Sequence, residues 1–269
     1  MRIDLLLVHN GLAASRSQAA RLVADGVQWR TRAGEPWRHA AKAGEDVPES
    51  AELLLANDRE SRYVSRGGLK LEGAMQHCGV APRGARCLDV GQSTGGFTDC
   101  LLQHGAATVL GVDVGHGQLH PKLQADARVL ALQRFNARDL SFEKLIAESV
   151  RQSCASADFF HKNGFDWIVG DLSFISLTLV LPALAPLLAP GGRLLLLVKP
   201  QFELQPGDIG KGGLVRDPDR AHPRVAQRLH GACAALGLSV HHWLPSPIPG
   251  GDGNREFFIH AQAPAAGAT

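Results

Sequence analysis

Four side chains in this 269-residue sequence could together do chemistry: Lys70, Asp171, Lys199 and Glu256. Each falls at the predicted start or end of a helix or strand, where α/β chains gather ligands, and two lysines facing two carboxylates would be electrically balanced. A lysine amine can take the proton of a sugar hydroxyl, whose own pKa is far above 7, if burial and a neighbouring cation keep part of it neutral. In that arrangement Lys199 is the base. Asp171 and Glu256 position the two ammonium groups, while Lys70 lowers the pKa of its partner and orients the sugar. Taken singly, each of the four also reads as half of a surface ion pair, and Lys70 as a plain surface lysine near a helix start.

The elements that must position these residues are legible as alternating strands and helices. The stretch Arg86-Cys-Leu-Asp89-Val-Gly91-Gln-Ser-Thr-Gly95-Gly96-Phe97-Thr98 reads as strand, tight glycine loop and helix to about His104. Such a loop at the carboxyl end of a first strand is where an open α/β sheet seats a nucleotide-like ligand. A dinucleotide site wants G-x-G-x-x-G under a pyrophosphate, whereas the order here is Gly91-x-x-x-Gly95-Gly96. That spacing suits a nucleoside without a pyrophosphate, with S-adenosylmethionine as the leading candidate and a nicotinamide oxidoreductase disfavoured. Asp89, Gly91, Ser93, Thr94, Gly95, Gly96 and Phe97 are the candidate binding residues of the loop.

Further strands are predicted at Thr108–Asp113, Val129–Gln133, Phe165–Gly170 and Arg193–Val198, the last a continuous apolar run typical of a strand buried on both faces. Asp113, at a strand end, could accept from both ribose hydroxyls, as such acids do in nicotinamide and S-adenosylmethionine sites alike. Asn136, just past the third strand, is a candidate to flank an adenine or else a turn residue, and Asp171 closes the cofactor list. Two glycines, Gly67 and Gly68, are read as ending an extended segment before a helix over Leu69–His77. A helix over Pro218–Leu236 precedes strands at Leu238–Leu244 and Glu256–Ala261, joined by a Pro/Gly-rich loop without a helix. That predicts an antiparallel hairpin at the sheet edge, which standard dinucleotide folds lack.

The first fifty-odd residues form a separate small α+β unit. A helix from Arg2 stops at Gly11, and a second starts at Ser15, where Ser15-Arg-Ser-Gln18 matches a capping box. Val27–Trp29 and Glu52–Leu55 are strand-like. Up to Lys42 there are seven basic residues against three acidic ones. Guanidinium groups grip phosphate oxygens in pairs and stack on bases, so Arg2, Arg16, Arg21, Arg30, Arg32 and, at the end of the connector, Arg66 are candidate RNA contacts. A solvated face on a small packing domain accounts for the charge equally well.

The N-terminal order Arg2-Ile-Asp-Leu-Leu-Leu-Val, Gly11-Leu, Ser15-Arg-Ser-Gln-Ala-Ala-Arg21-Leu, Gly26-Val resembles an S4-type RNA-binding domain. Gly67-Gly-Leu-Lys70, Gly170-Asp171-Leu-Ser-Phe-Ile-Ser, Val198-Lys199-Pro-Gln-Phe-Glu and Asn254-Arg-Glu256-Phe-Phe resemble the Lys-Asp-Lys-Glu tetrad motifs of FtsJ-type ribose 2′-O-methyltransferases. Together they make the chain similar to the TlyA family, also labelled hemolysin A. The resemblance implies an S4-like domain over 1–58, a linker over 59–66, a Rossmann-like class I methyltransferase domain over 67–262 with a mostly parallel sheet, and a disordered tail over 263–269. It also implies an S-adenosylmethionine-dependent 2′-O-methyltransferase acting on ribosomal RNA or ribosomal subunits, at cytidine. Gln92 departs from the family, which usually has a small residue there, and puts cofactor affinity in question.

Bulk properties narrow the alternatives. A net charge of +2 and a pI near 8.4 exclude a general polycation, so any affinity for RNA must come from local clusters. Five cysteines without a C-x-x-C pair fit reduced thiols and a cytoplasmic protein. The apolar region Leu177–Val198 is broken by three prolines, two glycines and Arg193, so no membrane span is expected. His116 and His120 lack an intervening Glu and a third ligand, so no metal is expected there. Asp208-Ile-Gly210-Lys211-Gly-Gly213 lacks the Ser/Thr and the strand-loop-helix context of a phosphate loop and reads as a flexible loop over substrate. The competing readings are a non-catalytic RNA-binding factor and, last, a pore-forming hemolysin.

Overall fold

The computed structural model describes residues 1–13, 15–55, 62–152, 159–160, 163–251 and 253–267. Most of the polar connector ahead of Arg62, with Cys154 and the last two tail residues, lies outside the described residues. The chain divides into two compact units, Met1–Arg66 and Gly67–Thr269.

In the first unit, α1 (Ile3–His9) gives way at Gly11, whose φ of +71° is a backbone that glycine adopts without penalty. Ser15 then caps α2 (Arg16–Gly26) by accepting from the Gln18 N–H at 3.3 Å. The apolar faces of both helices close a core with Val27 and Trp29. Three strands follow, β1 (Val27–Arg30), β2 (Arg38–His39) and β3 (Glu52–Leu55), in an antiparallel sheet of order β2-β1-β3. Two-residue β2 is too short to show alternation in the sequence.

The second unit opens with α3 (Gly67–Cys78), so Gly67 and Gly68 begin the helix instead of ending an extended segment. Then come β4 (Arg86–Val90), α4 (Gly96–Gln103), β5 (Thr108–Asp113), α5 (Pro121–Gln124), β6 (Val129–Gln133) and α6 (Phe142–Arg151). β7 (Phe165–Gly170), α7 (Leu181–Leu184), β8 (Leu188–Val198), α8 (Pro200–Glu203), α9 (Pro218–Ala235), β9 (Ser239–Pro245) and β10 (Phe257–Gln262) complete it. The seven strands lie in the order β6-β5-β4-β7-β8-β10-β9. β4 through β8 are parallel, and β10 enters between β8 and β9, antiparallel to both. The hairpin expected at the edge is therefore inserted last strand first.

Leu194 through Val198 on β8 are fully buried, which explains their unbroken apolar run. Each such side chain contributes about 1.5–3 kcal/mol over exposure, so this interior strand helps fix the sheet whose carboxyl edge carries the site. Pairing also outlasts β10: the Ala263 N–H donates to Gly192 O and the Gly191 N–H to Pro264 O. The tail expected to be disordered from Ala263 is thus tied down through Pro264.

Candidate active site

The glycine loop after β4 meets the end of β7. Gly91 has φ +81°, and a Cβ there would lie 2.7 Å from the Asp171 carbonyl oxygen, so only glycine lets the two strand ends approach this closely. Asp113 ties the loop from the other side, accepting from the Ser93 N–H at 2.8 Å and the Gly115 N–H at 2.7 Å. Between these ends lies a cavity of about 350 Å³. Of the expected cofactor residues, Gly91, Ser93, Asp113 and Asp171 line it. Val114, Gln118, Leu172 and Phe174, which sequence reasoning missed, line it too. Their signal was only proximity to the acids at the ends of β5 and β7.

Other expected residues serve the frame. Gly95 supplies the left-handed turn before α4, Gly96 opens that helix, and Phe97 is buried and stacked on Phe258 at 6.1 Å. The Thr94 carbonyl oxygen accepts from the His120 N–H. Asn136 caps a short 3-10 turn by accepting from the Arg138 N–H at 3.0 Å and does not line this cavity; its neighbours Phe135 and Ala137 do.

Asp89 is wholly buried at the end of β4. Its Oδ2 accepts from Thr98 Oγ1 at 2.7 Å, and Thr98 Oγ1 in turn accepts from Gln92 Nε2 at 2.9 Å. Gln92 therefore turns behind the loop, against a strand position, Gly111, that has no Cβ to obstruct it: one there would meet the amide at about 2.0 Å. It does not line the cavity. Burial pushes the Asp89 carboxyl up to about 7, against the Thr98 hydrogen bond and with repulsion from Asp171 added. Between 3.8 and about 7 the folded chain holds a proton that the unfolded chain has released, so stability falls as pH rises through that window and is level above it. At ~1.4 kcal/mol per pKa unit, up to about 4 kcal/mol depends on this group. Asp89→Asn is expected to flatten the fall, read from urea midpoints across pH; an unchanged slope contradicts the assignment.

The four chemistry-bearing residues form two ion pairs. Lys70, in the first turn of α3, is 8% exposed, and its Nζ donates to Glu256 Oε2 at 2.5 Å. It is not a surface lysine. Burial raises the pKa of Glu256 while Lys70 pulls it down; Asp171 and Lys199 also act on it, which places both pairs in one field. Lys199 closes β8, with Nζ 2.6 Å from Asp171 Oδ1, off the line of a hydrogen bond, and donating to Ser173 Oγ at 2.7 Å.

Residues that sequence reasoning passed over hold this geometry. Glu203, buried at the end of α8, accepts from Ser176 Oγ at 2.6 Å and from the Leu177 N–H at 2.7 Å, clamping the segment after β7 to the segment after β8. Buried Asn254 accepts from the Val215 N–H and donates to Gly213 O. The loop at 208–213, expected to be flexible, is in this way anchored two residues before Glu256. His120 caps α5, accepting from the Lys122 N–H.

In the N-terminal unit, Arg2 and Arg16 both pair with buried Asp4, at 2.8 and 3.3 Å, and Arg2 chiefly holds that carboxyl below its usual range. Arg30 pairs with Glu52 at 2.5 Å and lies over the Trp37 ring. Arg32 is exposed, while Arg21 and Arg66 are half-buried. Among the described residues, no helix is long and apolar enough to cross a membrane.

A seven-stranded sheet with its last strand inserted antiparallel, and a nucleoside-sized cavity at the carboxyl ends of its first strands, define the class I methyltransferase fold. Residues 63–263 match the FtsJ-like methyltransferase family. The chain is 42% identical over 262 residues to the 16S/23S rRNA (cytidine-2′-O)-methyltransferase TlyA of Mycobacterium tuberculosis, covering 96% of this chain and 88% of that protein. A solved structure from Streptococcus thermophilus described as a hemolysin is 37% identical, with TM-score 0.68, covering 100% of this chain and 91% of that one. An S-adenosylmethionine-dependent methyltransferase from Mesorhizobium loti, 14% identical with TM-score 0.50 over 72% of this chain and 97% of its own, shares the fold. The chain belongs to the FtsJ-like methyltransferase family and, within it, to the TlyA and hemolysin A group.

The methyl donor of this fold and family is S-adenosylmethionine, and the residues present suit it. The cavity has the acid Asp113 on its wall and a glycine cradle that a Cβ would fill, and behind it Asp89 Oδ1 is buried without a hydrogen-bond partner.

Proposed function

We propose that this chain methylates the 2′-hydroxyl of a cytidine in ribosomal RNA, with Lys199 as the base. One observation carries the reading: Asp171 and Ser173 both line the cofactor cavity and contact the Lys199 ammonium, so donor site and base share a wall. The bound cofactor supplies an electrophilic sulfonium methyl. Lys199 Nζ is placed to take the 2′-hydroxyl proton of the target ribose. Asp171 and Ser173 fix that nitrogen at the cavity mouth, so that alignment provides much of the rate. Glu256 holds Lys70, and Lys70 orients the ribose. Asp113 receives the ribose hydroxyls of the cofactor.

RNA recognition is assigned to the first unit, read as an S4-like domain over 1–58 that leads through a linker over 59–66 into the methyltransferase domain. Exposed Arg32 and the rings and guanidinium groups around Arg30 and Trp37 suit RNA contact, with Arg21 and Arg66 beside them in the assignment. Arg2 and Arg16 give part of their charge to Asp4 and hold the domain together as well. The protein acts in the cytoplasm, where ribosomal RNA and its subunits are.

Phe174 reads as a stacking platform for the target nucleotide. Its ring is 91% exposed at the cavity rim, on a backbone at φ +65° that a bulky residue seldom adopts without a functional reason. Phe174→Ala is expected to lower kcat/KM for RNA by about tenfold or more, from ~1–3 kcal/mol of base stacking, with folding stability unchanged. Steady-state kinetics with the RNA varied checks this, and an unchanged kcat/KM removes Phe174 from the contact.

The reading as a whole is tested by calorimetry with S-adenosylmethionine and by transfer of labelled methyl groups to total RNA and to ribosomal subunits. Binding together with labelling of RNA supports it. Binding without labelling of either substrate supports a non-catalytic RNA-binding factor.

A further inference from the structure

A cluster of histidines and one cysteine lies away from the cofactor cavity, where the end of α3 packs near the β9–β10 hairpin. The register of that hairpin slips between His260 and Ala261: His260 pairs with His242, while Ala261 pairs with Val240. His241 is the extra residue, so two consecutive histidines of β9 oppose one of β10, the count of a β-bulge. A bulge re-aims side chains, and here the rings of His241 and His242 lie 5.6 and 5.4 Å from that of His260. His242 Nδ1 and His260 Nδ1 are 3.1 Å apart. Cys78, the last residue of α3, completes the group: one ligand atom from each of Cys78, His242 and His260 lies within 4.8 Å of the others.

We propose that Cys78, His242 and His260 form a binding site for a zinc-like divalent cation. Two imidazole nitrogens on a tetrahedral zinc are ~3.3–3.4 Å apart, given bonds of about 2.0–2.1 Å, close to the 3.1 Å found here. Nitrogen and thiolate donors in this ratio favour zinc over harder cations. His260 is 2% exposed; its Nδ1 shares a hydrogen bond with His242 Nδ1, which a bound cation would replace, and its Nε2 is buried without a hydrogen-bond partner. Water or the neighbouring His241 would fill the fourth position.

Arg193 is a charged group that acts on the cluster. Burial raises the Cys78 thiol while Arg193 pulls it down. The His77 ring lies 6.3 Å from that of His242. As the cation binds, the thiol releases its proton to solvent. The bound metal would pin the end of α3, whose first turn holds Lys70, to the β9–β10 hairpin, whose second strand begins right after Glu256. Its role is thus to brace the two elements that carry the buried pair, apart from methyl transfer itself.

Cobalt(II) titration of the metal-free full-length protein tests the site, because tetrahedral thiolate–imidazole coordination gives intense d–d bands and a thiolate charge-transfer band that the solvated ion lacks. One equivalent is expected to bind with that spectrum and to be displaced by zinc. Cys78→Ser should remove the charge-transfer band, and His242→Gln should weaken binding at least tenfold. Both positions are only half-buried, so these variants spare the core that His260 occupies. Zinc should raise the Tm of the wild type by more than that of either variant. A spectrum of the solvated ion alone, or binding equally tight in Cys78→Ser and His242→Gln, overturns the proposal.

Discussion

Lys199→Ala is expected to slow methyl transfer by about 10²–10⁴-fold, the usual contribution of a positioned proton acceptor, while leaving cofactor affinity within a few-fold of wild type. The split follows from where the side chain stands. Lys199 closes β8 and reaches back to Asp171 and Ser173, but it does not itself line the cavity that takes the cofactor. Removing it deletes the acceptor for the 2′-hydroxyl proton and leaves the glycine loop, Asp113 and Phe135 as they were. Asp171 loses a partner but is about one quarter exposed, so water can take its place. Single-turnover transfer from labelled cofactor, run beside calorimetry on the same variant, separates the two effects. Wild-type rates in Lys199→Ala would show that the base lies elsewhere.

Glu256→Ala is expected to destabilise the protein by about 3–5 kcal/mol, because it strands a buried ammonium. The Lys70 and Glu256 side chains are only 10% and 3% exposed, and the bond joins residues 186 apart in the chain, so the loss falls on the docking of α3 against the β9–β10 hairpin. Replacing both, as Lys70→Met with Glu256→Leu, removes the stranded charge and should recover much of the stability while leaving methyl transfer impaired. Urea denaturation of the two single variants and the double variant measures the coupling. If the single losses simply add in the double variant, the pair is not coupled as the distance implies.

The site was legible in the sequence to the extent that it rests on strand ends. Asp113, Asp171 and Lys199 each end or follow an apolar run that reads as a buried strand, Asp89 lies inside the end of another, and α/β sheets put ligands at such ends. Roles that depend on tertiary approach were not legible. Gln92 looks like an intruder into the cofactor loop until β5 is seen to present Gly111 behind it. Glu203 and Asn254 stand in the tetrad motifs without a role of their own in the sequence, yet they clamp the segments beside Lys199 and Glu256. Arg2 and Arg16 read as RNA contacts by charge, while their shared partner Asp4 is buried and makes them structural as well. The Cys78–His242–His260 cluster is hidden in another way, since residues 78, 242 and 260 show no ligand spacing and meet only through a bulge. Asn136, read as flanking an adenine or else as a turn residue, caps a turn, its side chain accepting from the Arg138 N–H.

The most direct measurement is the position and identity of the methyl group. Purified protein, S-adenosylmethionine and unmethylated ribosomal subunits would be incubated together, and the RNA digested to nucleosides for mass spectrometry. A 2′-O-methylcytidine that appears with wild-type protein and is lost with Lys199→Ala is the result expected from the two ion pairs and the shared cavity wall. A methyl group on a base, or none on any ribose in either subunit, would contradict the assignment of Lys199 to a sugar hydroxyl.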